Sequence, residues 1–223
     1  MTNERCVYCC TSDTGTTIFT LHVDNILVAS SSPAEIDHFR NKLKSCWEIF
    51  NLGPAKFTLG ISITHDTPTK TISICQSAFI NHLLKKFNQS DAHPCDTPMV
   101  TGLRLSQPDK SVPVPSHVLD WMKCTPYHEL IGSLNYLAMA TCPNIAFAVG
   151  KLATFLDCYH PEHWQAAIRI LQYVKGTRNL CLSLGGNSSP LLVGYSDLDY
   201  ANCPDTSQSI SGYCFSPGSG TIS

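Results

Sequence analysis

The chain has 223 residues, of which 43% are hydrophobic and 14% are charged, and its formal net charge is −2. This composition fits one large or two small globular domains with a buried core and excludes an intrinsically disordered chain. Because the net charge is slightly negative, any contact with a polyphosphate must come from local basic patches.

Neither a secretory signal nor a transmembrane segment is expected. The first ten residues are polar, and the longest apolar stretch, 130–149, is broken by Asn135, Pro143 and Asn144. The 12 cysteines are therefore expected to be reduced thiols rather than a disulfide framework. We expect a protein of the cytoplasm or nucleus without a membrane partner, and the sequence leaves its oligomeric state open.

Residues 16–30 are predicted to form a β-hairpin. Two apolar runs flank the pair Asp24-Asn25, which is typical of a tight turn and would hold a carboxylate at the hairpin tip. Asp13, the nearest acid before it, lies in a second turn-like segment, 11–15.

A helix is predicted to follow this hairpin and to end near Phe50. Ser32 and Pro33 mark its start, and Glu35 is placed to complete a capping box. The apolar face of this helix is expected to carry Ile36, Phe39, Leu43 and Trp47.

A second hairpin is predicted from two stretches of alternating polarity, residues 56–64 and 70–75. An amphipathic helix capped by Ser77 should come next, with Lys85 and Lys86 facing water. Its buried face is expected to consist of Phe79, Ile80, Leu83, Leu84 and Phe87.

The second half of the chain begins with an irregular connector and continues with helices. Six of the 14 prolines fall between Ala92 and Pro126, which predicts a long connector without regular structure. Three helices should follow, over 127–139, 144–156 and 161–174. Short strands are then predicted at 180–184, 191–195, 210–215 and 221–222.

Two groups of residues could be mistaken for functional sites. The first is a run of possible metal ligands with a spacing that fits no zinc pattern, Cys158-x-His160-x-x-His163, for which helix capping and packing are the better interpretation. The second is a set of aromatic residues on apolar helix faces, for which core packing is expected rather than base stacking: Trp47, Phe79, Phe87, Phe147, Phe155 and Trp164.

Six fragments, in the same order along the chain, resemble copia-type retrotransposon polyproteins. They cover the end of the reverse transcriptase and the start of ribonuclease H in that family. The fragments are Leu21-His-Val-Asp-Asn-Ile-Leu-Val28, Phe57-x-Leu-Gly-Ile61, Gln76-Ser-Ala-Phe-Ile-Asn-His-Leu-Leu84 with Cys95-Asp-Thr-Pro-Met99, Tyr127-x-x-Leu-Ile-Gly-Ser-Leu-Asn-Tyr-Leu137, Tyr173-Val-Lys-Gly-Thr177 and Gly194-Tyr-Ser-Asp-Leu-Asp199.

The resemblance implies an α/β (α+β) fold with four segments. A partial reverse-transcriptase palm with a primer-grip-like hairpin would span 1–75, and a thumb-like helix with the proline-rich connector would span 76–126. A helical connection would follow over 127–179, and a truncated ribonuclease H-like segment, opening with a β-hairpin, over 180–223. The fingers and the early palm of the family, with its other catalytic aspartate, would precede Met1.

The family's polymerase box usually contains two adjacent aspartates, and here only the first is present. Asp24 matches that first aspartate, while Asn25 stands in place of the second. Mg²⁺ is the cofactor expected for the family, whose two-metal chemistry needs several carboxylates. Asp24 is therefore interpreted as a vestigial metal ligand, and Mg²⁺ is not expected to bind productively.

Asp197 matches the first acid of the ribonuclease H site and is interpreted in the same way. Asp199 would lie on the same side of the strand if that strand is regular, but two carboxylates would still be too few. Neither polymerase nor ribonuclease turnover is therefore expected from this chain.

The resemblance also implies contact with an RNA–DNA hybrid or duplex. The residues expected at that contact are Phe57, Leu59, Gly60, Lys85, Lys86 and Lys175. Three alternatives remain open at this point: a domesticated nucleic-acid-binding module, a subunit completed by a separate chain, and a product without a role.

Overall fold

The computed structural model describes residues 6–108, 111–186, 191–200, 207–217 and 219–222. The chain divides into two compact units, Met1–Ala55 and Lys56–Ser223. The hairpin predicted over 56–75 therefore belongs to the second unit, although it was assigned to the same segment as the first hairpin. No helix in the described ranges is long and apolar enough to cross a membrane.

The first unit is a three-stranded antiparallel meander followed by one helix. Its strands are β1 (Val7–Ser12), β2 (Gly15–His22) and β3 (Asn25–Ser30), and its helix is α1 (Pro33–Cys46). The hairpin predicted over 16–30 is confirmed as β2 and β3, whereas β1 was not predicted. Strand β1 is an edge strand with mostly exposed side chains, so it lacks the apolar alternation that marks a half-buried strand.

Helix α1 covers part of one face of this sheet, and the other face is open. Phe19 stacks on Tyr8 with ring centroids 4.8 Å apart and contacts Phe39 of α1 at 4.7 Å. On the opposite face, Val7, Ile18 and Leu27 are 46%, 43% and 40% exposed. The strands therefore carry apolar side chains on both faces of the sheet.

Helix α1 begins where it was predicted but is capped differently and ends earlier. Ser32 makes no side-chain cap, and the capping box is wrong. The Glu35 carboxylate instead accepts hydrogen bonds from the hydroxyls of Thr14 and Ser12, which lower the pKa of Glu35. The helix ends at Cys46 rather than near Phe50.

The second unit contains a four-stranded antiparallel sheet. Its strands, in spatial order, are β4 (Phe57–Thr58), β5 (Ile61–Asp66), β6 (Thr71–Cys75) and β7 (Leu182–Gly185). The single strand predicted over 56–64 is wrong, because Leu59 and Gly60 adopt φ values of +50° and +74° and reverse the chain between β4 and β5.

Strand β7 returns to this sheet from the far end of the helices. Ile74 of β6 pairs with Leu182, and Thr71 pairs with Gly185. The strand predicted near 180–184 therefore exists, but it completes the sheet of the primer-grip-like hairpin instead of opening the last segment of the chain.

A helical core lies between β6 and β7 in sequence. Its elements are α2 (Ser77–Lys86), α3 (Ser116–Cys124), α4 (Tyr127–Ala140), a 3-10 turn (Pro143–Ile145), α5 (Ala146–Ala153) and α6 (Pro161–Thr177). The predicted buried face of α2 is confirmed, and so are the other three predicted helices, with α5 shorter and preceded by the 3-10 turn. Helix α3 lies within the predicted connector and was missed.

The described part of the chain ends with a two-stranded antiparallel hairpin. Its strands are β8 (Leu192–Asp199) and β9 (Ile210–Pro217), and every side chain of β8 is exposed. Residues 221–222 do not form the predicted strand, although the Ile222 backbone N–H donates to the Phe215 carbonyl at 2.8 Å.

Candidate catalytic carboxylates and cationic surface

Asp24 occupies the tip of the β2–β3 hairpin. The pairs Leu21–Ile26 and His22–Asn25 close a two-residue turn formed by Val23 and Asp24. The predicted carboxylate at the tip is thus confirmed, but the turn lies one residue earlier than predicted, and Asn25 is already the first residue of β3. This register puts Leu21 and Ile26 directly opposite each other, as the apolar pattern of the two strands requires.

The turn places a residue with unfavourable backbone geometry beside the carboxylate. Val23 has a φ of +53°, a conformation that costs a β-branched residue more than glycine or asparagine. Its side chain is exposed, so no burial of apolar surface offsets this cost. The hairpin therefore holds Asp24 at its tip despite local strain.

The other acids near the start of the first unit lie at the far end of its sheet. Asp13 is in the β1–β2 turn, and Glu35 is bonded to the hydroxyls of Ser12 and Thr14 on either side of Asp13. Strand β2 separates this turn from Asp24, and its eight residues span about 23 Å at a rise of roughly 3.3 Å per residue. Neither carboxylate can share a metal ion with Asp24.

The donor set at the hairpin tip does not fit the metal site implied by the resemblance. Asp24 offers one carboxylate and Asn25 a neutral amide, whereas two Mg²⁺ ions held about 3.5–4 Å apart need several anionic oxygens. Among the residues that the structure describes, no group of three or more His, Cys, Asp or Glu side chains could hold a metal ion.

Asp197 and Asp199 lie on the same face of β8. The strand pairs with β9 without a bulge, Asp197 opposite Gly212 and Asp199 opposite Ile210. Side chains two residues apart on a regular strand point to the same side, so Asp197 and Asp199 project from the same side of β8. The arrangement gives two carboxylates about 7 Å apart along an exposed strand.

The primer-grip-like residues form an anchored turn. The Leu59 carbonyl accepts a hydrogen bond from the Tyr136 hydroxyl of α4, and the Tyr136 ring meets Phe79 edge-on at 5.3 Å. The side chains of Phe57 and Leu59 are exposed. The turn at Leu59 and Gly60 therefore presents two apolar side chains on a backbone held by the helical core.

Two of the three predicted phosphate-binding lysines already have partners in the fold. Lys86 forms an ion pair with Glu129, and the Lys175 ammonium donates to the carbonyls of Ser90 and Ala92, the latter at 2.7 Å. Lys175 therefore fixes the chain after α2 against α6.

Lys85 and Arg178 both line a cleft between α2 and the end of α6. The cleft has a volume of about 300 Å³ and is also lined by Asn81, Leu84 and Ser90. Both cationic side chains are exposed. The sequence offers Arg178, together with Arg169 and Lys175, as an exposed candidate for phosphate contact, with a solvated helix surface as the favoured interpretation. It contains no local pattern that links Arg178 to Lys85, because only the packing of α2 against α6 brings these two residues to one cleft.

The possible metal run and the aromatic set are resolved by their packing. The buried His163 ring lies 4.3 Å from Phe155, and its Nδ1 accepts a hydrogen bond from the His160 backbone at 3.0 Å, which confirms capping and packing. Core packing is confirmed for Phe79, Phe87, Phe155 and Trp164. It is wrong for Trp47 and Phe147, which are 64% and 62% exposed.

Comparison with known proteins shows which proteins the chain resembles. Residues 1–101 match the family "Reverse transcriptase (RNA-dependent DNA polymerase)". The chain is 35% identical over 222 residues to the Retrovirus-related Pol polyprotein from transposon TNT 1-94 of Nicotiana tabacum, an alignment that covers 99% of this chain and 16% of that protein. It is 31% identical over 201 residues to the Retrovirus-related Pol polyprotein from transposon RE1 of Arabidopsis thaliana, covering 86% of this chain and 12% of that protein.

A relative of similar size has no stated activity. The Uncharacterized mitochondrial protein AtMg00810 of Arabidopsis thaliana is 29% identical over 203 residues, covering 91% of this chain and 80% of that protein. No solved structure matches the chain significantly. The chain spans less than a fifth of the two Pol polyproteins. These matches support a chain derived from the reverse transcriptase of copia-type retrotransposon Pol polyproteins.

Proposed function

We propose that this chain is a reverse-transcriptase-derived polypeptide that, as it stands, does not polymerise DNA. The observation that carries the proposal is the donor set at the β2–β3 tip, where the exposed Asp24 is followed by the neutral Asn25. Among the described residues of the first unit, no other acid lies beside Asp24 in a group able to hold a metal ion.

The physical argument rests on charge. A carboxylate and a divalent cation 4 Å apart attract by roughly 8 kcal/mol at an effective dielectric constant of about 20, of which desolvation offsets a large part. An amide oxygen at Asn25 keeps a lone pair for coordination but lacks this attraction. Phosphoryl transfer by two metal ions depends on both ions being anchored, so the loss of one anion removes the chemistry rather than slowing it slightly.

The same reasoning applies to the end of the chain. We propose that the β8–β9 hairpin is the opening of a ribonuclease H-like module and does not cleave RNA by itself. Asp197 and Asp199 share one face of β8, but a two-metal hydrolytic site needs further carboxylates at the same place.

A primer-extension assay tests the polymerase part of the proposal. The purified chain is incubated with primed RNA and DNA templates, nucleotides and either Mg²⁺ or Mn²⁺, with Asp24→Asn as the matched control. We expect no extension. Extension by the wild-type chain that Asp24→Asn abolishes would overturn the proposal, whereas equal extension by both chains would identify a contaminating polymerase.

Metal binding gives a readout that does not depend on turnover. Calorimetric titration with Mn²⁺ should show no saturable site in the wild-type chain, and Asn25→Asp should create one that Asp24→Asn removes again. A saturable wild-type site that depends on Asp24 would mean that Asn25 suffices as a ligand.

A residual nucleic-acid-binding module is the second candidate function. The observation that favours it is the α2–α6 cleft, where Lys85 and Arg178 are both exposed beside the polar side chains of Asn81 and Ser90. Two exposed cations at one cleft suit a phosphodiester backbone, which sequence-independent binding recognises mainly by charge.

Salt dependence tests this second candidate. Anisotropy of a labelled duplex is titrated between about 50 and 200 mM salt with the wild type, Lys85→Ala with Arg178→Ala, and Lys123→Ala as control. Each lost phosphate contact should flatten the log–log salt slope by about 0.9. Lys123 pairs with Asp120 on the exposed side of α3, so its loss should leave the slope unchanged. Absence of binding, or an unchanged slope in the double variant, would exclude the cleft as the binding site.

A further inference from the structure

Two cysteines distant in sequence are neighbours across the β6–β7 pair. Cys75 is the last residue of β6, and Cys181 immediately precedes β7. The register pairs Ile74 with Leu182, so its continuation by one residue places Cys75 opposite Cys181. The two thiols are close enough for each to affect the pKa of the other.

The neighbouring pair on the same face shows that side chains meet across these strands. Ser73 pairs with Ser183, and their hydroxyl oxygens are 3.0 Å apart. Ser73 lies two residues before Cys75, and Ser183 lies two residues after Cys181, so both pairs project from the same side of the sheet. The proximity of the two thiols on one face therefore follows from the register of the sheet.

The spacing of antiparallel strands suits a disulfide bond. Residues directly opposite each other have Cα atoms about 4.5 or 5.5 Å apart, depending on whether the pair is hydrogen-bonded. Both distances fall within the range of about 4.4–6.8 Å that disulfides span. Oxidation would therefore require rotation of the side chains but no movement of the strands.

The two sulfur atoms differ in environment. The Cys75 sulfur lies 3.4 Å from the Ser77 hydroxyl at the start of α2, and this hydrogen bond lowers the pKa of Cys75. Cys181 is exposed, and its thiol contacts the Asn179 carbonyl at 3.7 Å. Although the residue as a whole is exposed, desolvation of its sulfur by the surrounding protein raises the pKa of Cys181. Cys75 is therefore the better nucleophile and Cys181 the more accessible partner.

We propose that Cys75 and Cys181 form a reversible disulfide when a low-molecular-weight disulfide such as oxidised glutathione is present. The Cys75 thiolate attacks one sulfur of glutathione disulfide, forming a mixed disulfide and releasing one glutathione thiolate. The Cys181 thiolate then attacks the Cys75 sulfur, forming the protein disulfide and releasing the second glutathione. The protein loses two thiol protons and two electrons, and glutathione disulfide gains them.

The bond would act on the stability of the whole helical core. It would enclose residues 76–180, a loop of roughly 100 residues that contains α2 to α6, and closing so long a loop restricts the unfolded chain strongly. We expect oxidation to raise the Tm of the second unit by roughly 10 °C, and reduction to reverse the change.

Mass spectrometry and thermal unfolding test the proposal together. The full chain is equilibrated in glutathione buffers of increasing oxidising strength, alkylated and digested without reduction. We expect the peptides of Cys75 and Cys181 to be recovered as one linked species, and the Tm to rise in parallel with its fraction. Recovery of both cysteines as free thiols, as glutathione adducts or linked to other cysteines would overturn the proposal.

Serine variants separate this bond from oxidation elsewhere. Cys181→Ser changes an exposed side chain and should abolish both the linked peptide and the rise in Tm. The control Cys124→Ser removes another exposed cysteine and should change neither. A rise in Tm that persists in Cys181→Ser, or disappears in Cys124→Ser, would assign the effect to a different thiol pair.

Discussion

A buried hydrogen bond between Gln76 and Thr141 connects the end of β6 to the end of α4. Gln76 is the N-cap residue of α2 and Thr141 the C-cap residue of α4, and both side chains are buried. The Thr141 hydroxyl donates to the Gln76 Oε1 at 2.7 Å, while the Gln76 Nε2 has no hydrogen-bond partner within the described structure. The amide is therefore only half satisfied.

Substituting Thr141 is therefore expected to affect stability differently from substituting Gln76. Thr141→Val removes the donor and leaves both polar atoms of the Gln76 amide buried without a partner, at a cost of about 1–3 kcal/mol. Gln76→Met removes both amide atoms, and the Thr141 hydroxyl keeps the Cys142 sulfur 3.6 Å away. We expect Gln76→Met and the double variant to lie within about 1 kcal/mol of the wild type.

Urea and thermal unfolding of the four chains measure the coupling between the two positions. Thr141→Val should lower the Tm by roughly 2–12 °C, since 1 kcal/mol corresponds to about 2–4 °C in a domain of this size. The double-mutant cycle should give an interaction free energy of about 1–3 kcal/mol. A neutral Thr141→Val together with a strongly destabilised Gln76→Met would refute the reasoning, because it would assign the stabilisation to Gln76 contacts other than this hydrogen bond.

Three further predictions concern charge, packing and exposure. Burial lowers the pKa of His163 below its usual 6.5. As the pH falls through 6.5, the unfolded chain therefore binds a proton at this residue before the folded chain does, and the free energy of unfolding should decrease. In His163→Gln the free energy of unfolding should depend less on pH. Leu134→Ala, at a fully buried position of α4, should cost about 3–5 kcal/mol in urea unfolding; a loss below 1 kcal/mol would contradict the assigned core. Ile18→Thr with Leu27→Thr should increase the soluble yield by reducing the open apolar face of the first sheet, and an unchanged yield would show that this face does not drive aggregation.

Sequence patterns predicted the elements whose determinants are local. Pro161 at the first helical position and regularly spaced apolar residues placed α6 correctly, and the alternation around Asp24 placed the hairpin. The turn position differed because Asp-Asn is a common turn pair, whereas the register is set by the apolar pair Leu21 and Ile26 across the strands. The sequence predicts a strand at Leu59 because no local sequence pattern indicates that this leucine adopts a positive φ.

The features that were missed depend on contacts between distant residues. Glu35 was expected to cap α1, but the β1–β2 turn offers it two hydroxyl donors. The cleft that joins Lys85 to Arg178 exists only because α2 packs against α6. A single sequence contains no pattern that links such positions.

The return of β7 to the sheet has a consequence for how the protein acquires its structure. Strand β6 has no β7 beside it until roughly 100 further residues have been synthesised, so its outer edge stays unpaired while the helices form. Contacts between residues so far apart close late and slow folding, whereas helices rich in local contacts form early. Translation that stops before Leu182 would therefore yield a helical product in which the edge of β6 is unpaired. Such an edge favours self-association or degradation of the product over its accumulation.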